Sequence, residues 1–227
     1  MVNFKGLVEE TVATNKRPTV IVCHSMGCLF SYRFLADQSD QWKKDHVKGW
    51  VVVGAPFGGN FKYMYSYIGD DDWPATISKK IRIPERTFSS TTFLMPTGSG
   101  FGNDVLVRTP KKNYTVDDYG DFFAALDYPD AYEQYLDTRG ILGDNQVSPG
   151  RMPVYCIGGV GIRSIESVVY DQDLTRSASY QTLYGDGDGI LNTKGMRQCQ
   201  RFSSGSSKFV YQEFNLGEFL GHEYILC

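Results

Sequence analysis

Ser25 is the first candidate for chemistry because of the residues around it. Thr19 to Val22 are apolar or β-branched and predict a short buried strand, and a helical pattern begins at about Met26. A serine in a tight turn between strand and helix, with Gly27 two residues later, is typical of a nucleophile elbow, in which the Oγ projects above the sheet. Position 23 is cysteine, so the strict G-x-S-x-G pattern is not met. A capping serine in an ordinary strand–turn–helix is the alternative.

A serine nucleophile needs a base to accept its proton, and the chain has three histidines. His24 adjoins Ser25, and we expect it to lie on the other side of the elbow as a structural residue or part of a pocket wall. His46 lies in a charged helix and is expected to face solvent. His222 follows a strand and lies in a glycine-bounded loop. By elimination and by position, His222 is the predicted base.

The acid that orients the base is expected in the turn Gly185-Asp-Gly-Asp-Gly189, which follows a predicted strand and offers Asp186 and Asp188. Its glycines would let a carboxylate project from a tight loop. A calcium loop is the alternative, but the twelve-residue spacing and its final glutamate are missing. Serine, aspartate and histidine occur in the chain order of an α/β-hydrolase, each after a strand.

Strands and helices alternate around these residues. Gly49 to Gly54 and Met152 to Ile157 are apolar runs typical of strands buried on both faces of a parallel sheet. Ser167 to Tyr170 and Gln181 to Tyr184 alternate as an antiparallel pair would. Thr115, with an aspartate three residues later, predicts a helix start.

From Asn60 to about Asn103 the periodicity breaks down, and a segment of this length is usually a functional lid or disordered. Its aromatic residues argue against disorder. We therefore predict a lid insertion over about 60–103. The predicted substrate-binding side chains are Tyr63, Tyr65, Tyr67 and Trp73.

The composition predicts a single domain over residues 1–227. Hydrophobic residues make up 41% of the chain and the net charge is −3, which gives no basic excess for nucleic acid binding. No apolar run approaches the roughly 20 residues of a membrane span. The chain opens on an amphipathic pattern instead of a signal peptide, yet Asn113-Tyr-Thr is a glycosylation acceptor and the number of cysteines, five, is odd. The sequon points to a secretory compartment.

Four stretches together resemble the lecithin–cholesterol acyltransferase family, in wording closest to its lysosomal phospholipase A and plant branch. They are Cys23-His-Ser-Met-Gly-Cys28, Gly54-Ala-Pro-Phe-Gly-Gly59, Gly185-Asp-Gly-Asp-Gly189 with Asn192 and Cys199, and Gly221-His222. The resemblance covers nearly the whole chain and implies an α/β-hydrolase fold, here partial, from the nucleophile strand onward with the lid insertion.

The resemblance also assigns roles. It implies that Asp188 is the triad acid and that Cys156 and Cys199 form a disulfide. It implies that Cys28 is a free thiol. With Cys156 and Cys199 paired, we expect Cys23, Cys28 and Cys227 to be unpaired. The stretch from Asn60 to about Met95 resembles the family's mobile lid. The backbone N–H of Met26 is expected to be one oxyanion donor.

The implied function is a serine-dependent lipid acyl hydrolase or O-acyltransferase. It takes a fatty acyl group from a glycerophospholipid through an acyl-serine intermediate and passes it to water or a lipid alcohol. A phospholipid membrane or lipoprotein surface presents the substrate, in a lysosomal or extracellular compartment, with no cofactor, metal or nucleic acid. The alternatives are a catalytically weak or inactive lipid-binding member and a neutral lipase.

The position of Ser25 generates a further expectation. In this fold the nucleophile strand is normally the fifth, and here 24 residues precede Ser25. We expect the second oxyanion donor to be missing from this chain and the strand before Ser25 to be an exposed apolar edge. Such an edge favours self-association, and the lost donor would slow turnover by about 10²–10³-fold.

Overall fold

The computed structural model describes residues 2–68, 84–142, 146–175, 178–215 and 217. Its strands are β1 Thr19–His24, β2 Val47–Val53, β3 Val107–Arg108, β4 Asn113–Tyr114, β5 Pro153–Val160, β6 Ile162–Tyr170, β7 Tyr180–Gly187 and β8 Lys208–Asn215. Its α-helices are α1 Val2–Asn15, α2 Met26–Ala36, α3 Asp40–His46, α4 Phe61–Ile68, α5 Ser89–Phe93, α6 Gly98–Phe101, α7 Tyr119–Ala125, α8 Pro129–Thr138 and α9 Thr193–Met196. Two 3₁₀ helices cover Val116–Asp118 and Arg197–Ser203.

The first sheet is parallel and has the strand order β1-β2-β5-β8. Its register places Ile21 beside Trp50, Trp50 beside Val154 and Val154 beside Phe209. The apolar runs predicted as parallel strands form β2 and β5, so the mixed α/β architecture is confirmed. Because the strands are parallel, β1, β2, β5 and β8 end at the same edge of the sheet.

β1 is the outer strand of this sheet as described. Val20 and Val22 are 47% and 61% exposed, and Phe30 on the adjoining α2 is 52% exposed. The exposed apolar strand expected from the sequence is therefore present in the structure. Its consequence for association stays a prediction.

The core of the parallel sheet is a cluster of buried aromatic side chains. The rings of Trp50, Phe57, Phe202 and Tyr32 pack with centroids 4.9–6.3 Å apart. The indole N–H of Trp50 donates to Ser31 Oγ at 3.0 Å, so the polar atom of this buried ring is satisfied. This cluster fixes α2 against the sheet.

The second sheet has the order β4-β3-β6-β7, and β6 and β7 form the predicted antiparallel pair. Its buried face packs with α4, α7 and α8 around a second apolar cluster that includes Phe122, Phe123 and Val168. No helix within the described ranges is both long and apolar enough to cross a bilayer.

The expectation of irregular structure from Asn60 to Asn103 is wrong where the segment is described. The chain there forms α4, α5 and α6. Four buried residues of α4 recur at helical spacing: Phe61, Met64, Tyr65 and Ile68. In the sequence, the spacing of Tyr63, Tyr65 and Tyr67 by two obscures this pattern. α4 is buried on nearly all sides, with Ser66 and Tyr67 2% and 0% exposed, so no polar face marks the helical period in the sequence.

The predicted helix start at Thr115 is confirmed. Thr115 Oγ accepts a hydrogen bond from the N–H of Asp117, and Asp118 Oδ2 accepts one from the N–H of Thr115 at 2.9 Å. The Lys112 ammonium lies 2.8 Å from Asp118 Oδ1. These bonds, with Lys112 first, hold the pKa of Asp118 below its ordinary value of 3.8.

We predict that Asp118→Asn lowers the free energy of unfolding at pH 7 by about 0.5–1 kcal/mol, because it weakens the cap and removes the charge that faces Lys112. A depressed pKa stabilises the fold above the unfolded pKa, and this stabilisation is lost as the pH falls through the folded pKa. The difference should therefore shrink below pH 3.8 in urea melts. Asp117→Asn is the matched control, because the Lys112 ammonium pairs with Asp118 and Asp121, and it should lower the free energy of unfolding by less.

Candidate active site

Ser25 occupies the turn between β1 and α2 with φ 52° and ψ −132°, a conformation that non-glycine residues rarely adopt. Its N–H donates to Val53 O at 2.9 Å, and its carbonyl accepts from the N–H of Cys28 at 3.0 Å. The Ser25 side chain makes no helix-capping hydrogen bond. An ordinary capping serine has extended backbone, and its side-chain oxygen accepts a hydrogen bond from a backbone N–H of the first helical turn, so that alternative does not fit. The strained turn between strand and helix matches the backbone expected of a nucleophile elbow.

Met26 is the first residue of α2. Its N–H is therefore among the four that helix geometry leaves without an intrahelical acceptor. The preceding N–H, that of Ser25, is already bonded to Val53 O. Met26 therefore offers an N–H at the positive end of α2, next to Ser25 in the chain.

The structure corrects the expected state of two cysteines. Cys23 and Cys28 were expected to be unpaired, with Cys28 a free thiol, but they form a disulfide with a Cα–Cα distance of 4.9 Å. The tight elbow brings the end of β1 and the first turn of α2 within the usual disulfide range of about 4.4–6.8 Å. Both residues are buried in the core of the parallel sheet. Cys227 lies outside the described residues.

Cys156 on β5 forms a disulfide with Cys199 in the 3₁₀ helix after α9, with a Cα–Cα distance of 6.4 Å. This is the pairing that the family resemblance implies. It ties the segment that follows the aspartate turn to the centre of the parallel sheet.

The two aspartates of the glycine-rich turn lie in different environments. Asp188 has no exposed surface, and its Oδ1 accepts hydrogen bonds from the N–H groups of Ile190 at 3.0 Å and Leu191 at 2.7 Å. Asp186 is exposed, and its Oδ1 accepts from the N–H of Gly161 at 2.8 Å. Buried carboxylates held by backbone N–H groups have a fixed orientation. Asp188 is therefore the better placed of the two to orient another side chain.

Topology brings this turn to the edge of the parallel sheet where Ser25 lies. Asp188 forms a β-bridge with Ile162, which comes just after the carboxyl end of β5. The loop between β2 and α4 joins the two regions, since the N–H of Gly58 donates to Gly195 O at 3.0 Å. The elbow thus lies at the carboxyl end of β1 and the aspartate turn beside the carboxyl end of β5, with β2 between the two strands.

Three buried polar residues, to none of which the sequence analysis gave a role, hold this arrangement. Asn60 Nδ2 donates to Ile190 O at 2.9 Å. Asn192 Nδ2 donates to a β6 carbonyl at 2.8 Å, and Ser164 Oγ accepts from the N–H of Gly189 at 3.0 Å. An asparagine directly after two glycines was a usable signal for Asn60. Asn192 entered only as part of the resemblance, and no local pattern marks Ser164.

The histidines are placed as follows. His24 ends β1 and lines a groove of about 470 Å³ beside α1 and α2, in agreement with a role in a pocket wall. His46 is half-buried, with its ring stacked on Trp42 at a centroid distance of 4.7 Å, so the expectation that it faces solvent is wrong. The aromatic surface of the neighbouring turn shields it. His222 lies outside the described residues.

The predicted lid aromatics are mostly part of the core. Tyr65 and Tyr67 are 5% and 0% exposed, and the Tyr180 hydroxyl donates to Tyr65 Oη at 2.9 Å. Burial is the main reason that the pKa of Tyr63 is raised, and this side chain packs against both apolar clusters. Trp73 lies outside the described residues. Substrate contact by these side chains stays a prediction.

Two further expectations concern the surface. Asn113 on β4 is exposed, so its side-chain amide is accessible to modification. Within the described ranges, no three His, Cys, Asp or Glu side chains group as metal ligands would.

The backbone of Ser25 gives a prediction that does not depend on activity. We expect Ser25→Gly to be about 0.5–1 kcal/mol more stable than Ser25→Ala, because glycine adopts φ 52° without a Cβ penalty that outweighs its entropic cost. At Ser204, where φ is −77°, glycine should instead be less stable than alanine. Thermal unfolding of the four variants tests this, and equal ranking at both positions would contradict it.

Comparison with known proteins adds a family to this geometry. The family model described as "Lecithin:cholesterol acyltransferase" matches residues 1–140. The chain is 32% identical over 209 residues to phosphatidylcholine-sterol acyltransferase of Mus musculus, covering 91% of this chain and 47% of that protein. It is 33% identical over 225 residues to lysosomal phospholipase A and acyltransferase of Bos taurus, covering 98% and 53%.

A solved structure, "The crystal structure of Tle4-Tli4 complex", contains a chain with a similar fold. The TM-score is 0.60 at 13% identity, covering 93% of this chain and 57% of that one. The present chain spans about half the length of the curated relatives it matches. Since the family model matches more than half of its residues, the chain belongs to the lecithin:cholesterol acyltransferase family.

Proposed function

We propose that the chain is the catalytic part of a serine-dependent lipid acyl hydrolase or O-acyltransferase. The observation that carries this proposal is the positive-φ backbone of Ser25 between β1 and α2, in a member of an acyltransferase family. Such backbone strain is tolerated where a functional geometry requires it. The relatives named above are a phosphatidylcholine-sterol acyltransferase and a phospholipase A, which supports a glycerophospholipid as acyl donor.

In the proposed reaction, Ser25 Oγ attacks the ester carbonyl of the phospholipid and His222 takes the serine proton. The Met26 N–H donates to the oxyanion of the tetrahedral intermediate. His222 then protonates the departing lysophospholipid oxygen, leaving an acyl-serine. Water or a lipid alcohol, deprotonated by the same histidine, attacks this ester and regenerates Ser25.

Asp188 is the proposed partner of the His222 imidazole. Its burial and its two backbone hydrogen bonds fix the carboxylate, so it can hold one imidazole tautomer and stabilise the imidazolium. β8, the strand that precedes position 222 in sequence, ends at Asn215 on the edge of the sheet where Ser25 lies. Asp186 is proposed to shape the turn through Gly161.

We further propose a partial α/β-hydrolase fold in one domain, with the region of residues 60–103 acting as a lid over the acyl chains. The chain order of Ser25, Asp188 and His222, each of which comes after a strand in the sequence, supports the fold. Tyr63, Tyr65, Tyr67 and Trp73 are the proposed acyl contacts.

A lysosomal or extracellular compartment is proposed, with a lipid surface as the source of substrate. Two disulfides and an exposed acceptor, Asn113, suit an oxidising compartment. One relative carries the word lysosomal in its name.

A fluorophosphonate probe distinguishes this proposal from a lipid-binding protein without catalysis, because only an activated serine is labelled. We predict labelling of the wild-type chain, none of Ser25→Ala, and unchanged thermal unfolding within about 1 kcal/mol, apart from the local backbone effect described above. Product analysis with phosphatidylcholine and triacylglycerol separates a phospholipase from a neutral lipase. Absence of labelling in the folded wild type would favour the lipid-binding alternative.

The two aspartates give a matched pair. We predict that Asp188→Asn lowers kcat by about 10³–10⁴-fold, because the imidazole loses its orienting charge. Asp186→Asn should lower it by less than about tenfold, since an amide oxygen can still accept from Gly161. Steady-state kinetics with a soluble ester would reveal the opposite ranking if Asp186 were the acid.

A further inference from the structure

A cavity of about 620 Å³ opens between α2, the loop after β2, the α5–α6 region and α8. Neither Ser25 nor Asp188 lines it. Its volume is in the range of roughly 300–1,000 Å³ that is usual for small-molecule sites. It is therefore large enough for a ligand, and the part of its wall between Thr92 and Ser99 belongs to the region proposed as a lid.

Two arginines, Arg139 and Arg201, are the charged residues that line the cavity, and no carboxylate is among the lining residues. Within the described part of the chain, neither guanidinium forms an ion pair. Arg201 instead donates to Gln198 Oε1. Burial lowers the pKa of Arg201, which means that its surroundings do not compensate its charge.

The rest of the wall is mixed. Leu29, Phe57, Met95 and Leu142 supply apolar surface. Gln146 also lines the cavity, and its Oε1 is buried without a hydrogen-bond partner in the described structure. A buried amide oxygen without a partner costs free energy unless a ligand group donates to it. The wall thus combines two cations, an unsatisfied amide and apolar side chains.

We propose that this cavity binds an amphiphilic oxyanion, a single-chain lipid with a phosphate or carboxylate head group. Arg139 and Arg201 bind the anionic oxygens, as planar guanidinium groups do with phosphate and carboxylate. Gln146 Oε1 accepts a hydrogen bond where the head group carries a hydroxyl, as a monoprotonated phosphate does. The apolar wall contacts the first part of the chain. Neither Ser25 nor Asp188 lines this site, so ligand binding here is tested separately from the labelling of Ser25.

Isothermal titration calorimetry of the 227-residue chain, below the critical micelle concentration, tests this with dodecyl phosphate and laurate. Inorganic phosphate and dodecyltrimethylammonium serve as head-group and tail controls. We expect Arg139→Gln, at an exposed position that caps the end of α8, to weaken dodecyl phosphate or laurate binding by about tenfold or more, as loss of a charged hydrogen bond does. Arg108→Gln removes another exposed arginine, which lies outside the cavity, and should change binding by less than about twofold.

The better binder of the two acids identifies the head group. Equal weakening by Arg108→Gln, or binding of dodecyltrimethylammonium as tight as that of dodecyl phosphate, would overturn the proposal, since a general charge or tail effect would then explain it. Binding of inorganic phosphate as tight as that of dodecyl phosphate would overturn the lipid assignment.

Discussion

The backbone hydrogen bond from Ser25 N–H to Val53 O is the contact on which the candidate site depends. A residue at φ 52° costs on the order of 1–3 kcal/mol and persists only when its surroundings fix it. Here the β1–β2 ladder fixes one side of the turn and buried Leu29 on α2 fixes the other. The Cys23–Cys28 disulfide joins the same two elements. The elbow is therefore held by strand, helix and cross-link at once, and its serine cannot relax without moving the sheet edge.

The aspartate turn depends on close backbone approach. A Cβ at Gly187 would lie 2.0 Å from Leu191 O and 2.2 Å from Ser164 Oγ, and one at Gly59 would lie 2.0 Å from Met95 O. Glycine at these two positions lets the turn fold back on itself and lets the loop after β2 reach the aspartate region. Asn60 then bonds to Ile190 O. The site is thus assembled by main-chain contacts among three loops, and the side chains that carry chemistry are placed by them.

Much of this could be predicted from local sequence. The parallel strands follow from continuous apolar runs, the β6–β7 pair from alternation, and the Thr115 cap from its spacing, since each depends on residues close in the chain. α4 was missed because its tyrosines imitate a strand period. The Cys23–Cys28 pairing was missed because it depends on the distance across the elbow. Ser164 was missed since its partner, Gly189, is 25 residues away. The difference in burial between Asp186 and Asp188 could not be predicted for the same reason. Both aspartates lie between glycines in the sequence, and the packing of the turn against β6 buries one and leaves the other exposed.

The 3₁₀ helix Arg197–Ser203 links the candidate active site to the arginine-lined cavity. Arg197 Nε and Nη2 donate to the two carboxylate oxygens of Glu213 on β8, at 2.7 and 2.9 Å, and these bonds hold the pKa of Glu213 below its ordinary value. Cys199 forms the disulfide with Cys156 on β5, and Phe202 packs in the aromatic core. Arg201 projects from the same turn into the cavity. The seven residues of this 3₁₀ helix are anchored at three points. Arg201 therefore loses little conformational freedom when it binds an anion, and most of the electrostatic attraction contributes to the free energy of binding. A flexible surface arginine would offer the same charge at a larger entropic cost.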